Sequence, residues 1–251
     1  MSVFHRDGFD IDFLDEGVGA PVVLVHGFAS NKEINWVGPG WVSTLKAAGK
    51  KVIAFDNRGH GRTTKSYVQA DYHPALMAGD TLALATHLGI DRFHLFGYSM
   101  GARIAAFTAL AAPDRVASLI LGGLGAGLVD GVGDWDPIAD ALLAADRASV
   151  WHERGRMFRA FADRTGSDRR ALAACISRSR ELVTRTQAAG IAMPTLIGVG
   201  TKDDIAGDPG ELAALLPNAE AFPIVGRDHM LAVGDERWKA KVVAFLAENA
   251  P

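Results

Sequence analysis

Six short, almost wholly apolar runs recur along this chain: PVVLVHGF (21–28), KVIAFDNRG (51–59), RFHLFGYS (92–99), VASLILGG (116–123), PTLIGVG (194–200) and EAFPIVG (220–226). A strand with one wet face alternates apolar and polar residues, so unbroken apolar runs of this length require burial on both faces, as in parallel sheets. Between them, about 74–88, 100–112, 209–216 and 235–249 carry helical patterns. This alternation predicts an α/β fold with an open, mostly parallel sheet covered by helices. IDFLDEG (11–17) does alternate and reads as a half-exposed edge strand. From Leu124 to about Ala192 no strand pattern occurs, and the segment lies between two predicted core strands. It is therefore expected to be an inserted helical cap (124–192) on a body made of 1–123 and 193–251. The glycine-rich LGGLGAGLVDGVGD leads into it as a hinge or an irregular loop.

Composition narrows the partners. The chain has 251 residues, 49% of them hydrophobic, enough for a large core. A formal charge of −3 supplies no basic field for nucleic acid. No run approaches the roughly 18 apolar residues of a membrane span. The start, MSVFHRDGFDIDFLDEG, is acidic and broken by glycine, unlike a signal peptide. Cys175 is the single cysteine, so neither an internal disulfide nor a Cys-rich metal site is possible, and it reads as a small helical residue. A soluble, cytoplasmic protein is expected, with no metal and no cofactor; nothing in the sequence sets its oligomeric state.

Chemistry enters at GYSMG (97–101). With 28 glycines in the chain, the pattern G-x-S-x-G would arise by chance in roughly one such chain in eight, so its context decides. RFHLFGY precedes it and MGARIAAFTALAA follows, placing Ser99 at a strand-to-helix turn. Such a turn holds the serine in a strained conformation with its Oγ clear of the sheet. Strand and helix then approach so closely that Gly97 and Gly101 admit no Cβ. Ser99 reads as a nucleophile.

A serine hydroxyl needs a base, and the base an orienting carboxylate. Of eight histidines, His229 in VGRDHMLAVGD follows the last strand and reaches the same sheet edge as Ser99. His87 and His94 lie within a helix and a strand, and His26 reads as a loop brace. Asp203 and Asp204 both follow the strand PTLIGVG, and only one can face the imidazole; Asp203 is preferred, with Asp204 the alternate. Asp228 reads as a loop-stabilising acid. Two N–H groups must receive the oxyanion: Met100 at the helix N-terminus and Phe28 after the strand VLV.

Together HGF (26–28), DNRGHGRT (56–63), GYSMG (97–101), GTKDD (200–204) and GRDHM (226–230) resemble the α/β-hydrolase superfamily, in order across nearly the whole chain. The resemblance implies a sheet of about eight strands, a helical cap, the order Ser–Asp–His, and Asp203 over Asp204. It makes Arg58 and His60 scaffold residues. Members that open epoxides or remove halide use a carboxylate at the nucleophile position, where this chain has Ser99, and the cap lacks the tyrosines that epoxide hydrolases use. Hydrolysis of carboxylic esters of small to medium acyl groups through an acyl-enzyme on Ser99 is the leading expectation. Lactone or carbon–carbon bond hydrolysis, cofactor-free haloperoxidase or perhydrolase activity, and ligand sensing on the same fold are the alternatives.

The cap adds a charge pattern: ten arginines against four acids between Arg147 and Arg185. It reads as a solvated face, with attraction of anionic acyl groups as the sharper alternative. Trp151, Phe158 and Phe161 are the candidate acyl-pocket residues, alongside Trp135 and Met157.

Overall fold

The computed structural model describes residues 2–249. Its strands are β1 (Ser2–Arg6), β2 (Phe9–Glu16), β3 (Ala20–Val25), β4 (Lys50–Phe55), β5 (Phe93–Tyr98), β6 (Val116–Gly122), β7 (Thr195–Gly200) and β8 (Ala219–Ile224). They form one sheet in the order β1-β2-β4-β3-β5-β6-β7-β8, with β3 to β8 parallel and β1 and β2 antiparallel. The helices are α1 (Trp41–Ala47), α2 (Pro74–His87), α3 (Met100–Ala111), α4 (Gly127–Asp130), α5 (Asp136–Leu143), α6 (Glu153–Thr165), α7 (Arg169–Arg178), α8 (Arg185–Ala189), α9 (Pro209–Ala213) and α10 (Glu236–Glu248). None among the described residues is long and apolar enough to cross a membrane.

Every residue of β5, β6 and β7 is buried, which is why these runs carry no polar alternation. Successive residues still point to opposite faces. Val23, Val25, Ile53, Phe55 and Leu95 enter the layer under α2 and α3. Val22, Leu24, Val52, Ala54 and Phe96 enter the other, where Trp36, Trp41 and Trp238 fill the space beneath α1 and α10. Phe96 packs on all three indoles, with ring centroids 4.8, 4.8 and 6.0 Å away. Aromatic bulk therefore sets the spacing of that layer.

The two ends of the sheet differ from the sequence reading. The strand expected at the edge, β2, is covered by β1; of its alternating polar residues Asp10 and Glu16 are exposed, while Asp12 is buried against Lys32. The β1–β2 turn is Asp7-Gly8, with φ of 49° and 81°, the pair of positive values a tight type I′ hairpin requires. At the other end, β8 was read as buried on both faces, yet it is the edge strand and largely exposed. Its Pro223 is tolerated there because the ladder asks nothing of it on the open side.

Residues 124–192 hold α4 to α8 and no strand, between β6 and β7. Leu128, Trp135, Ile138, Phe158, Phe161 and Leu172 join the same apolar cluster as Phe28, Met100 and Ile104, so this insertion is packed onto the body. Its glycine-rich entry is tightly packed rather than loose: Gly125 N and Gly127 N both donate to the Ala206 carbonyl. A Cβ on Gly125 would fall 2.5 Å from the Gly207 oxygen.

Candidate active site

The chain runs from β3 to β4 on one side of the sheet and returns to β5 on the other. The carboxyl ends of β3 and β5 are neighbours at this reversal, where parallel sheets open a crevice. Ser99 follows β5 directly, with φ 55° and ψ −114°, a combination unfavourable for a side-chain-bearing residue. Its N–H donates to the Gly122 carbonyl at the end of β6 (2.7 Å), which holds the turn. The flanking glycines are explained by space. A Cβ on Gly97 would lie 2.1 Å from the Gly101 oxygen, and one on Gly101 2.0 Å from the Val25 oxygen.

Three strand ends converge on Ser99. His229 Nε2 stands 2.9 Å from Ser99 Oγ, and His229 Nδ1 stands 2.7 Å from Asp203 Oδ2. Asp203 is fully enclosed, and its other oxygen accepts from Ile205 N (2.9 Å) and Ala206 N (3.0 Å). An acceptor-only carboxylate there makes Nδ1 the protonated nitrogen, leaving Nε2 free to accept from the serine hydroxyl. Asp204 points away: its side chain is 85% exposed, with Arg154 3.8 Å distant. Asp228 stabilises its loop, accepting from Met230 N and Leu231 N. The histidine and aspartate loops are tied together by Lys202 N donating to the Arg227 carbonyl (2.9 Å).

The backbone N–H groups of Phe28 and Met100 have no protein acceptor among the described residues, and both residues line the cavity that Ser99 faces. Gly27 places Phe28: a Cβ there would lie 3.4 Å from the Ser99 Cβ. His26 braces this loop as expected, its Nε2 accepting from Asn57 N (2.9 Å). Burial lowers the pKa of His26, so it stays neutral. Arg58 forms a buried two-pronged pair with Asp80, with Nε and Nη2 at 2.5 and 2.8 Å, the scaffold role given to DNRGHGRT. His94 bonds Ser118 inside the sheet, and Cys175 is buried against the Met100 sulfur (3.7 Å).

Ser99 sits between two chambers. The smaller is lined by Phe28, Met100, Arg103, Trp135, Phe158 and Arg180 among others. The larger is lined by Ile34, Asn35, Phe158, Phe161, His229 and Met230 among others. Phe158 faces both, its ring 5.5 Å from Phe28 and 5.7 Å from Trp135. Of the three aromatic residues proposed for the acyl pocket, Phe158 and Phe161 are at the site. Trp151 is not. It is 80% exposed and borders an outer groove with Pro137, Ala144 and His152, because it precedes α6 on the face turned from the sheet.

The arginine run is mostly engaged elsewhere. Arg159 and Arg169 approach Asp163, Arg178 pairs with Glu181, Arg180 with Asp136 and Arg185 with Asp130. Arg170 lies over the Tyr67 ring.

Three residues at the site escaped the sequence reading. The Tyr98 hydroxyl donates to the His229 carbonyl (2.6 Å), fixing the histidine loop from the residue beside the nucleophile. Asn35 Oδ1 accepts from Gly27 N (3.0 Å) and steadies the loop that carries Phe28. Arg103 reaches the smaller chamber from α3. Only Arg103 had a signal, a charge four residues after the serine in an otherwise apolar helix.

The comparisons with known proteins agree with this architecture. A family model described as the alpha/beta hydrolase fold matches residues 20–169. The dihydrolipoyllysine-residue acetyltransferase component of the acetoin cleaving system of Pseudomonas putida is 30% identical over 251 residues, covering 92% of this chain and 64% of that protein. The non-heme chloroperoxidase CPO-A1 of Kitasatospora aureofaciens is 38% identical over 99 residues, 38% of this chain and 33% of that protein. The chain thus spans less than two thirds of these relatives. A hydrolase from Pseudomonas aeruginosa PA01 superposes with a TM-score of 0.81 at 24% identity, covering 98% of this chain and 97% of that one. An esterase from Exiguobacterium antarcticum gives 0.79 at 24%, covering 96% and 97%. At these identities the structural likeness speaks for the fold alone. With the family model spanning more than half of its length, this chain belongs to the alpha/beta hydrolase family.

Proposed function

We propose that the protein is a serine hydrolase that cleaves carboxylic esters through an acyl-enzyme on Ser99. The observation carrying this reading is the unbroken hydrogen-bond line Asp203–His229–Ser99, at 2.7 and 2.9 Å, beside two unpaired backbone N–H groups. His229 Nε2 takes the Ser99 proton as Oγ attacks the ester carbonyl carbon, and Asp203 supports the imidazolium without being protonated. The carbonyl oxygen becomes an oxyanion received by Phe28 N–H and Met100 N–H; one such donor is typically worth about 10²–10³ in turnover. The tetrahedral intermediate collapses, His229 Nε2–H protonates the departing alkoxide, and the acyl group stays on Oγ. Water then repeats the cycle with His229 as base, releasing the carboxylic acid and regenerating Ser99. In this reading the helical insertion 124–192 is a lid that contributes Phe158 and Phe161 to the substrate walls.

The test is active-site labelling combined with turnover. A fluorophosphonate should add its mass to the peptide containing Ser99, and a panel of neutral esters should be turned over many times per enzyme, with Ser99→Ala inactive. Labelling at another residue of active protein sinks the assignment. Single-turnover behaviour with tight retention of product would point instead to ligand sensing.

A further inference from the structure

The smaller chamber carries a buried cation in its wall. Besides Ser99, its polar lining side chains are Arg103, Ser179, Arg180 and Trp135. Arg103 is 5% exposed, and its guanidinium has no carboxylate partner among the described residues. Nη1 donates to the carbonyls of Leu128 (3.2 Å) and Glu181 (2.9 Å), and Nη2 to that of Gly127 (3.0 Å), all formally neutral acceptors. The nearby Glu181 carboxylate is itself engaged by Arg178 at 2.9 Å on the surface. Burial pulls the Arg103 pKa down to about 10, and Glu181 raises it, so the group is still a cation at neutral pH. A buried cation whose hydrogen bonds all go to neutral carbonyls, with its nearest counter-charge shared with Arg178, is costly, and an anion in the cavity lowers that cost. Trp135 lines the same chamber, and its buried Nε1–H lacks an acceptor, as do those of Trp36 and Trp238 in the core. Arg103 is thus a buried cation in the wall of a cavity that opens on Ser99.

Which part of the substrate occupies this chamber follows from proton transfer. The alkoxide leaving group must take its proton from His229, and His229 lines the larger chamber and not the smaller. The alcohol portion therefore belongs in the larger, mostly apolar chamber. The acyl portion is left with the smaller one, which both oxyanion residues, Phe28 and Met100, also line.

Resting on the serine-hydrolase reading above, we propose that the acyl group carries its own carboxylate, held by Arg103, so that the substrates are half-esters of short dicarboxylic acids with an apolar alcohol. Arg103 stands one helical turn beyond Ser99, about 6 Å along the axis, so a short dicarboxylic acyl chain is the class to test. Arg180 also lines the chamber, but its charge is matched by Asp136 at 2.7 Å, so Arg103 is the cation proposed to receive the carboxylate. The reaction balances as ester plus water giving the dicarboxylic acid and the alcohol.

The test compares benzyl hydrogen glutarate with benzyl glutaramate, its amide isostere of the same size, by release of benzyl alcohol. The charged ester should have at least about a tenfold higher kcat/KM, the order of a single charge-assisted contact. Arg103→Met should erase that ratio in a variant whose melting curve shows it folded. Arg103 also anchors three backbone carbonyls, so the variant can fail to fold. The wild-type acid-to-amide ratio needs no variant: equal values overturn the proposal and assign Arg103 to tethering the insertion only. Calorimetric binding of both compounds to Ser99→Ala separates the two readings. Preference for the acid with no cleavage by wild type would preserve the carboxylate site and remove the hydrolase. Cleavage of both esters at equal rates, with Ser99 labelled, would do the opposite.

Discussion

Replacing Asp203 by asparagine changes one atom of the site and isolates the role of charge and tautomer from that of packing. Asp203 Oδ1 accepts from Ile205 N and Ala206 N at 2.9 and 3.0 Å, and Oδ2 faces His229 Nδ1 at 2.7 Å. The two backbone donors require an oxygen opposite them, so the asparagine amide is forced to turn its NH₂ toward His229. A donor then faces Nδ1, and the ring proton moves to Nε2. His229 presents N–H, rather than a lone pair, to Ser99 Oγ and cannot act as base. The expected loss in kcat is about 10⁴, which corresponds to about 5.5 kcal/mol in the barrier. KM should hardly move, because the Asp203 side chain is completely enclosed and meets no substrate. Stability should also hold, since both loop hydrogen bonds survive. Asp204→Asn is the internal control: an exposed partner of Arg154 contributes at most about 1 kcal/mol to stability and should leave turnover unchanged. Steady-state hydrolysis of a neutral ester, with melting curves for both variants, reads all of this. A folded Asp203→Asn enzyme with more than about a tenth of wild-type kcat would refute the tautomer reasoning.

Gly101→Ala should destabilise the protein by at least about 3 kcal/mol, because its Cβ would lie 2.0 Å from the Val25 oxygen and backbone cannot swing aside; a variant melting within a few degrees of wild type would contradict that geometry. Phe158→Ala should shift preference between neighbouring acyl lengths by roughly ten- to two-hundred-fold, while Trp151→Ala, at a residue 80% exposed, should leave it alone; a substrate panel with both variants checks the contrast. His60 and His94 are held neutral, chiefly by burial, with pKa values lowered to about 3 and about 4. The unfolded chain therefore binds protons below about pH 6.5 that the folded chain refuses, so stability falls as pH drops through that point, by about 1.4 kcal/mol per pH unit for each histidine. Melting temperatures that stay flat between pH 7 and 5 would rule this out.

Periodicity and glycine placement made much of the fold legible, because both act locally. The unbroken apolar runs of β5, β6 and β7 are buried on both faces, although the run of β8 lies at an edge, and Gly97 and Gly101 are demanded by a turn that five residues encode. The same locality exposed Ser99, and the loop after each strand supplied short lists for the base and the carboxylate. Strand β1 escaped although Asp7-Gly8 marks its hairpin, since a short strand with mostly exposed residues leaves little apolar signal. What no local pattern could decide is which distant atoms meet. Asp203 and Asp204 are chemically equal neighbours, and only the enclosure of one against Ile205 N, Ala206 N and His229 separates them. Trp151 and Phe158 look alike as aromatic residues of one helical segment, yet one faces solvent and the other lies between Phe28 and Trp135. Tyr98 acts on a carbonyl 131 residues away, and Arg103 became conspicuous only once its neighbours proved to be carbonyls rather than carboxylates. Those pairings depend on how the sheet brings strand ends together and how the insertion folds back, and sequence proximity carries no information about either.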